Sequence, residues 1–152
     1  MEAKIVNRDA TIVIGLLARF SDEEEQVGEL WSEFVTYSAQ LQPLRVDDYH
    51  YGVAFLTDQE GVWDYLAGVA VGSVAAVSEG LVMREIPAGA YVLVEGPLAA
   101  MDDAFDYIYN TWLPQSDYVR DPVKPVLDVY PPGTTSGDSV VWLYVPLKAK
   151  ED

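Results

Sequence analysis

"IVNRDATIVIGL" (Ile5–Leu16) and "MREIPAGAYVLV" (Met83–Val94) are two versions of one stretch. They match in place and character, each rich in the β-branched or aromatic residues that fit a pleated, half-buried surface, with a small insertion at Ala88–Gly89 in the second. They lie about 78 residues apart, half of the 152-residue chain. The elements that follow them also match. Ile5 to Ala18 reads as one strand. In "SDEEEQVGELWSEFVTYSAQL" (Ser21–Leu41), Val27, Leu30, Trp31 and Phe34 recur at helical spacing. Ser21 and Glu24 form a capping box ahead of them, and Asp22 to Glu25 suit the positive end of the helix dipole. "YHYGVAFL" (Tyr49–Leu56) and "VWDYLAGVAV" (Val62–Val71), joined by "TDQEG", read as a hairpin.

The second half repeats this order. "GLVMREIPAGAYVLVEG" (Gly80–Gly96) is a strand kinked at Pro87–Gly89. "LAAMDDAFDYIYNTWLP" (Leu98–Pro114) is a helix with Leu98, Met101, Phe105, Ile108 and Trp112 as one apolar stripe, stopped by Pro114. "PQSDYVRDPVKP" reads as a loop, and "VLDVY" (Val126–Tyr130) and "VVWLYVPL" (Val140–Leu147) as the last two strands. The chain is therefore a duplicated βαββ unit, with halves of about 1–75 and 79–150 in a single domain spanning 1–152. Two such units meeting edge to edge predict an α+β fold: an antiparallel sheet, both helices on one face, and a ligand groove at the pseudo-two-fold seam.

Composition removes several kinds of chemistry. The absence of cysteine excludes disulfides, thiolate zinc sites and thiol nucleophiles. His50 is the lone histidine and has no nucleophile motif beside it, so a serine triad or a histidine-rich metal site is not expected. No glycine cluster has phosphate-cradling spacing, and no cofactor is expected. The net charge is −16, with 25 acidic against 9 basic residues, and the basic residues are dispersed. Direct nucleic-acid binding needs a basic footprint, which is missing. No apolar run reaches the roughly 18 residues of a membrane helix and no secretory signal opens the chain. The expectation is a cytoplasmic protein without membrane contact.

The positive signal is aromatic. Ten Tyr, four Trp and four Phe are concentrated in the strands. Alternation places Asp128 with Tyr130, Trp142 with Tyr144, Tyr51 with Phe55, and Trp63 with Tyr65. The aliphatic residues on the opposite faces suit packing under the helices. An aromatic face with a central carboxylate suits an organic cation, because rings supply quadrupole attraction and the acid supplies charge. Asp128 is otherwise out of place, since aspartate is depleted in strands.

"WDYLAGVAV" (Trp63–Val71), "EIPAGAYVLVEGPL" (Glu85–Leu98), "FDYIYNTWLPQSDY" (Phe105–Tyr118) and "LDVYPP…VVWLYVPLK" (Leu127–Lys148), in this order, resemble the GyrI-like small-molecule-binding family, the AraC-type effector-binding domains. The resemblance covers nearly the whole chain. It implies the duplicated βαββ fold and a central groove, here as a stand-alone version without a helix-turn-helix domain. It implies that Asp128 stands where the family carries a pocket glutamate, one methylene longer. It also implies that Ala70 replaces a second glutamate. The implied pocket walls are Tyr51, Phe55, Trp63, Tyr65, Tyr130, Trp142 and Tyr144, with Tyr109 and Trp112 from the second helix. The leading reading is a binding module for lipophilic, cationic small molecules in drug sensing or sequestration. The alternatives are a hydrolase of electrophilic toxins using a carboxylate and a tyrosine, and a gyrase-inhibitor-like role with a protein partner.

Overall fold

The computed structural model describes residues 2–21, 27–72, 77–132 and 139–150. The predicted capping box and acidic first turn fall at 22–26, outside the described residues.

The described chain runs β1 (Ala3–Arg8), β2 (Thr11–Ser21), α1 (Val27–Phe34), a 3-10 turn, α2 (Ser38–Leu41), β3 (His50–Leu56), β4 (Val62–Val71), β5 (Val82–Ile86) and β6 (Gly89–Pro97). It continues with α3 (Met101–Tyr107), a π-helical turn (Ile108–Trp112), α4 (Leu113–Gln115), β7 (Tyr118–Arg120), β8 (Val126–Tyr130) and β9 (Val140–Ala149). The fold is α+β and the pairing is antiparallel throughout.

The sheet order is β1-β6-β9-β8-β3-β4-β2-β5, with β7 added against β9. Exchanging β1 with β5, β2 with β6, β3 with β8 and β4 with β9 reverses this list onto itself, which is the signature of the sequence duplication. The stretch read as one strand from Ile5 to Ala18 is in fact two, β1 and β2, broken at Asp9–Ala10. The break has a purpose. Each repeat lends its first strand to the other: β1 pairs with β6, and β5 pairs with β2.

This exchange curls the sheet. Six strand spacings separate β6 from β5 in the order, roughly 30 Å in a flat sheet. Yet Ile86, the last residue of β5, and Gly89, the first of β6, are three residue steps apart, roughly 10 Å of chain at most. The ends must come round toward each other. The inner face of the curl is a core of Val13, Tyr51, Val53, Leu66, Ile86, Tyr91, Leu127, Val129 and Tyr144. Ile86 and Tyr91 flank the junction, both fully buried, and the Tyr91 hydroxyl donates to the Pro87 carbonyl at 2.9 Å.

Both helices lie on the outer face, as expected. Leu30 and Phe34 of α1 pack on Ile14, Leu16, Tyr65 and Val69, while Ala104 and Ile108 pack on Val92, Leu143, Val145 and Val126. Two expectations fail here. The helices cover the face that carries Asp128 and Tyr130, while the aliphatic Leu127 and Val129 turn into the curl. The stripe on the second helix is also split. Ala104 and Ile108 are buried, but Phe105 is 40% exposed and Leu98, just ahead of α3, is 36% exposed. The segment read as a loop contains β7, a three-residue strand closing on the end of β9. Among the described residues, no helix is long and apolar enough to cross a membrane.

Tyr91 tests the closure. Tyr91→Ala removes a fully buried ring from the point where the sheet ends meet and should cost about 3–5 kcal/mol in urea denaturation. Tyr91→Phe, which keeps the ring and loses the hydrogen bond, should cost about 1 kcal/mol. Equal, small effects of both substitutions would contradict this account.

Candidate functional site

The two repeats join where β3 pairs with β8, in the register His50↔Tyr130, Tyr51↔Val129, Gly52↔Asp128, Val53↔Leu127 and Ala54↔Val126. Tyr51 and Val129 are 78 positions apart, the repeat offset, so the pseudo-two-fold passes through that pair. Gly52 lies directly across from Asp128, and its lack of a side chain is used. A Cβ at Gly52 would sit 1.9 Å from the Tyr65 hydroxyl oxygen. Tyr65 of β4 therefore runs over Gly52 to the seam.

Three groups converge there. The Tyr65 hydroxyl donates to Asp128 Oδ2 at 3.4 Å, and the Tyr130 hydroxyl donates to the same oxygen at 3.4 Å. Trp31 Nε1 of α1 donates to the Tyr65 hydroxyl at 3.2 Å. The two contacts to Asp128 are longer than the roughly 2.7–2.8 Å typical of O–H···O bonds. Burial, and secondarily the Asp128 charge, push the pKa of both Tyr65 and Tyr130 well above the ordinary phenol value. Both phenols are therefore neutral donors at any pH the protein meets. Rings surround them. Trp31 meets Tyr130 edge to face at 5.7 Å, Tyr65 at 6.4 Å and His50 at 6.0 Å, and Trp63 meets Tyr65 at 5.8 Å.

Beside this cluster is a groove of 910 Å³, within the roughly 300–1,000 Å³ of small-molecule sites. Its lining includes Ala54, Val126, Tyr65, Asp128 and Tyr130 from the sheet, Val27 from α1, and Leu98, Met101 and Phe105 from the second helical segment. Leu56, Thr57 and residues 59–63 of the β3–β4 hairpin contribute a further wall. Ala54, a small residue on the outer face of the seam between the two helices, leaves part of this space open. A smaller cavity of 370 Å³ shares Val27, Leu98 and Tyr130 and adds Trp31 and His50. Glu60, Asp102 and Asp128 give the groove three carboxylates against one guanidinium, Arg120. Among the described residues no group of three acidic or histidine side chains is placed to hold a metal.

The structure divides the residues picked out in the sequence. Asp128, Tyr130, Trp63 and Tyr65 line the groove. Tyr51, Phe55, Trp142 and Tyr144 belong to the inner face of the curl. Ala70 is fully buried there too, away from the groove. That face already holds a cation. The Arg8 guanidinium lies 4.6 Å from the centre of the Tyr144 ring and 5.9 Å from that of Tyr51, whose hydroxyl donates to Asp47 at 2.7 Å. Tyr109 stacks on Phe105 at 4.5 Å, and Trp112 stacks on Tyr118 at 6.4 Å, outside the groove lining. Trp31, Leu98, Met101 and Phe105 read as core in the sequence yet line the two cavities. No separate signal marks them in the sequence, since Leu98, Met101, Phe105, Ile108 and Trp112 have the a/d spacing of an ordinary packing seam.

Comparison with known proteins bears on the fold and the family. The sequence matches the family model of the integron-associated effector binding protein, Cass2, over residues 4–147. The transcriptional regulator BrlR of Pseudomonas aeruginosa is 28% identical over 112 residues, 72% of this chain and 41% of that protein, so the match spans less than half of BrlR. SAV2435, solved with tetraphenylphosphonium bound, superposes with a TM-score of 0.78 at 16% identity, covering 97% of this chain and 94% of that one. The integron cassette protein VCH_CASS2 from the mobile metagenome of Vibrio cholerae superposes at 0.72 and 18% identity, covering 96% and 95%. The C-terminal domain of EcmrR does so at 0.70 and 14% identity, covering 98% of each chain. These structures share the fold, and the match over residues 4–147 assigns the lineage: this chain belongs to the integron-associated effector-binding protein family, in keeping with its resemblance to GyrI-like domains.

Proposed function

We propose that this domain is an effector-binding module that holds a lipophilic organic cation in the groove between α1 and α3, with Asp128 as counter-charge, and so senses or sequesters the compound. The observation that carries this reading is one carboxylate at the seam, approached by two neutral phenols and flanked by Trp31 and Trp63. A desolvated cation–π contact contributes roughly 2 kcal/mol. A few of these plus apolar burial reach micromolar affinity, about −8 kcal/mol. The tetraphenylphosphonium held by SAV2435 is a ligand of this class. The net charge of −16 favours approach of cations and disfavours direct contact with phosphates. The raised pKa values of Tyr65 and Tyr130 favour hydrogen-bond donation over proton abstraction, which supports binding rather than hydrolysis.

Tetraphenylphosphonium should quench tryptophan fluorescence saturably, and Asp128→Asn should weaken its binding by roughly 1–3 kcal/mol. A neutral aromatic of similar size should bind both proteins alike. Equal quenching of both proteins by the cation would remove Asp128 from the site.

His50 sets an acid limit on the same region. Burial, then the nearby charge of Arg45, lowers its pKa below the free value, against a smaller opposing effect of Asp47. The unfolded chain thus takes up a proton at higher pH than the folded one. Stability is lost as pH falls through about 6.5 toward the folded value, and this loss levels off below it. The melting temperature should therefore drop less between about pH 7 and pH 5.5 in His50→Gln than in the wild type. An identical drop in both would show that His50 does not resist protonation.

A further inference from the structure

Asp128 is one end of a charge pattern whose other end is on β7. Asp128 stands opposite Leu143 of β9, and Arg120 stands opposite Leu147. Leu143 and Leu147 share one face of β9, so Asp128 and Arg120 emerge on the same side of the sheet, about 13 Å apart along the strand. Both line the 910 Å³ groove.

Arg120 is the one base among the residues that line the groove. Among the described residues it makes no ion pair, in a chain with 25 acidic residues. Its Nε is buried without a hydrogen-bond partner. Tyr109 is a neighbour: burial raises the Tyr109 pKa, and the charge and side-chain hydrogen bonding of Arg120 partly offset it. Tyr109 is in turn stacked on Phe105, which lines the groove. A buried guanidinium nitrogen without a partner at the wall of a cavity carries a desolvation cost that an arriving acceptor removes. The planar fork of arginine suits a carboxylate, which it can hold through two parallel bonds.

We propose that the groove is built for zwitterions: lipophilic organic cations that also carry a carboxylate, with the cation at Asp128 and the carboxylate at Arg120. This rests on the cation reading above and adds a second, anionic point of recognition. It explains why a groove dominated by acids retains one base. A ligand with the two charges at the right separation is bound at both ends, while a simple cation uses one end alone.

The test uses triphenylphosphonium ions bearing a carboxyalkyl tether, in a series from short to long, each beside its methyl ester. The ester has nearly the same shape and keeps the cation but lacks the anion. Calorimetric titration of the wild type should show the acid binding about tenfold or more tighter than its ester at the best tether length. The ratio of acid to ester affinity should collapse toward one in Arg120→Gln, and Arg120→Lys should restore part of it. If the esters bind and no acid binds more tightly than its ester, the zwitterion proposal is overturned and the cation reading stands. If neither acids nor esters bind, both fall. The wild-type comparison alone decides between these results, so the outcome does not depend on any variant folding.

Discussion

The register of the β3–β8 ladder is the constraint on which the rest of this molecule depends. It joins the two repeats, places the pseudo-two-fold at Tyr51–Val129, and sets Gly52 across from Asp128. A slip of one residue would turn every side chain of β8 to the other face. Asp128 would then enter the apolar interior of the curl, and Leu127 would take its place beneath the helices. The present register leaves Tyr65 room over Gly52 and brings its hydroxyl to the carboxylate. The duplication supplies the frame, and departures from symmetry supply the site. His50 is the symmetry mate of Asp128 and Gly52 that of Tyr130, so β8 brings an acid and a phenol to the seam while β3 brings an imidazole and a gap.

The two faces of the sheet use aromatic residues differently. On the inner face the chain provides its own cation: Arg8, on the exchanged strand β1, lies over Tyr144 and Tyr51. That face is closed by the curl and by the two-residue connection between β5 and β6. On the outer face, between α1 and α3, the rings converge on Asp128 beside an open groove. The inner face thus holds a cation of the chain's own among its rings, while the rings of the outer face gather around a carboxylate.

Much of the fold was legible in the sequence because duplication doubles every local signal. The β3–β4 hairpin, α1, the second helical segment and the last two strands all lie where periodicity places them. The alternation of Asp128 with Tyr130, and of Trp142 with Tyr144, was also legible. Which pairs share a face across strands was not, because that depends on inter-strand register. Trp63 and Tyr65 join Asp128, while Tyr51, Phe55, Trp142 and Tyr144 do not. The division of Ile5–Ala18 was hidden for a related reason. Asp9 and Ala10 form no turn signal, yet the strand must leave one edge of the sheet for the other. Arg120 was missed because the three residues of β7 carry no periodicity of their own. The π-helical turn at Ile108–Trp112 shifts the phase of the helix, which a uniform 3.6-residue repeat does not anticipate.

The most direct measurement is a crystal structure of the protein grown with tetraphenylphosphonium. The account predicts the phosphonium between α1 and α3, nearer to the Asp128 carboxylate than to any other acid, with its phenyl rings against Trp31, Trp63 or Tyr130 and with Arg8 still over Tyr144. A phosphonium seated on the inner face in place of Arg8, or an outer groove left empty while the ligand sits elsewhere, would contradict it.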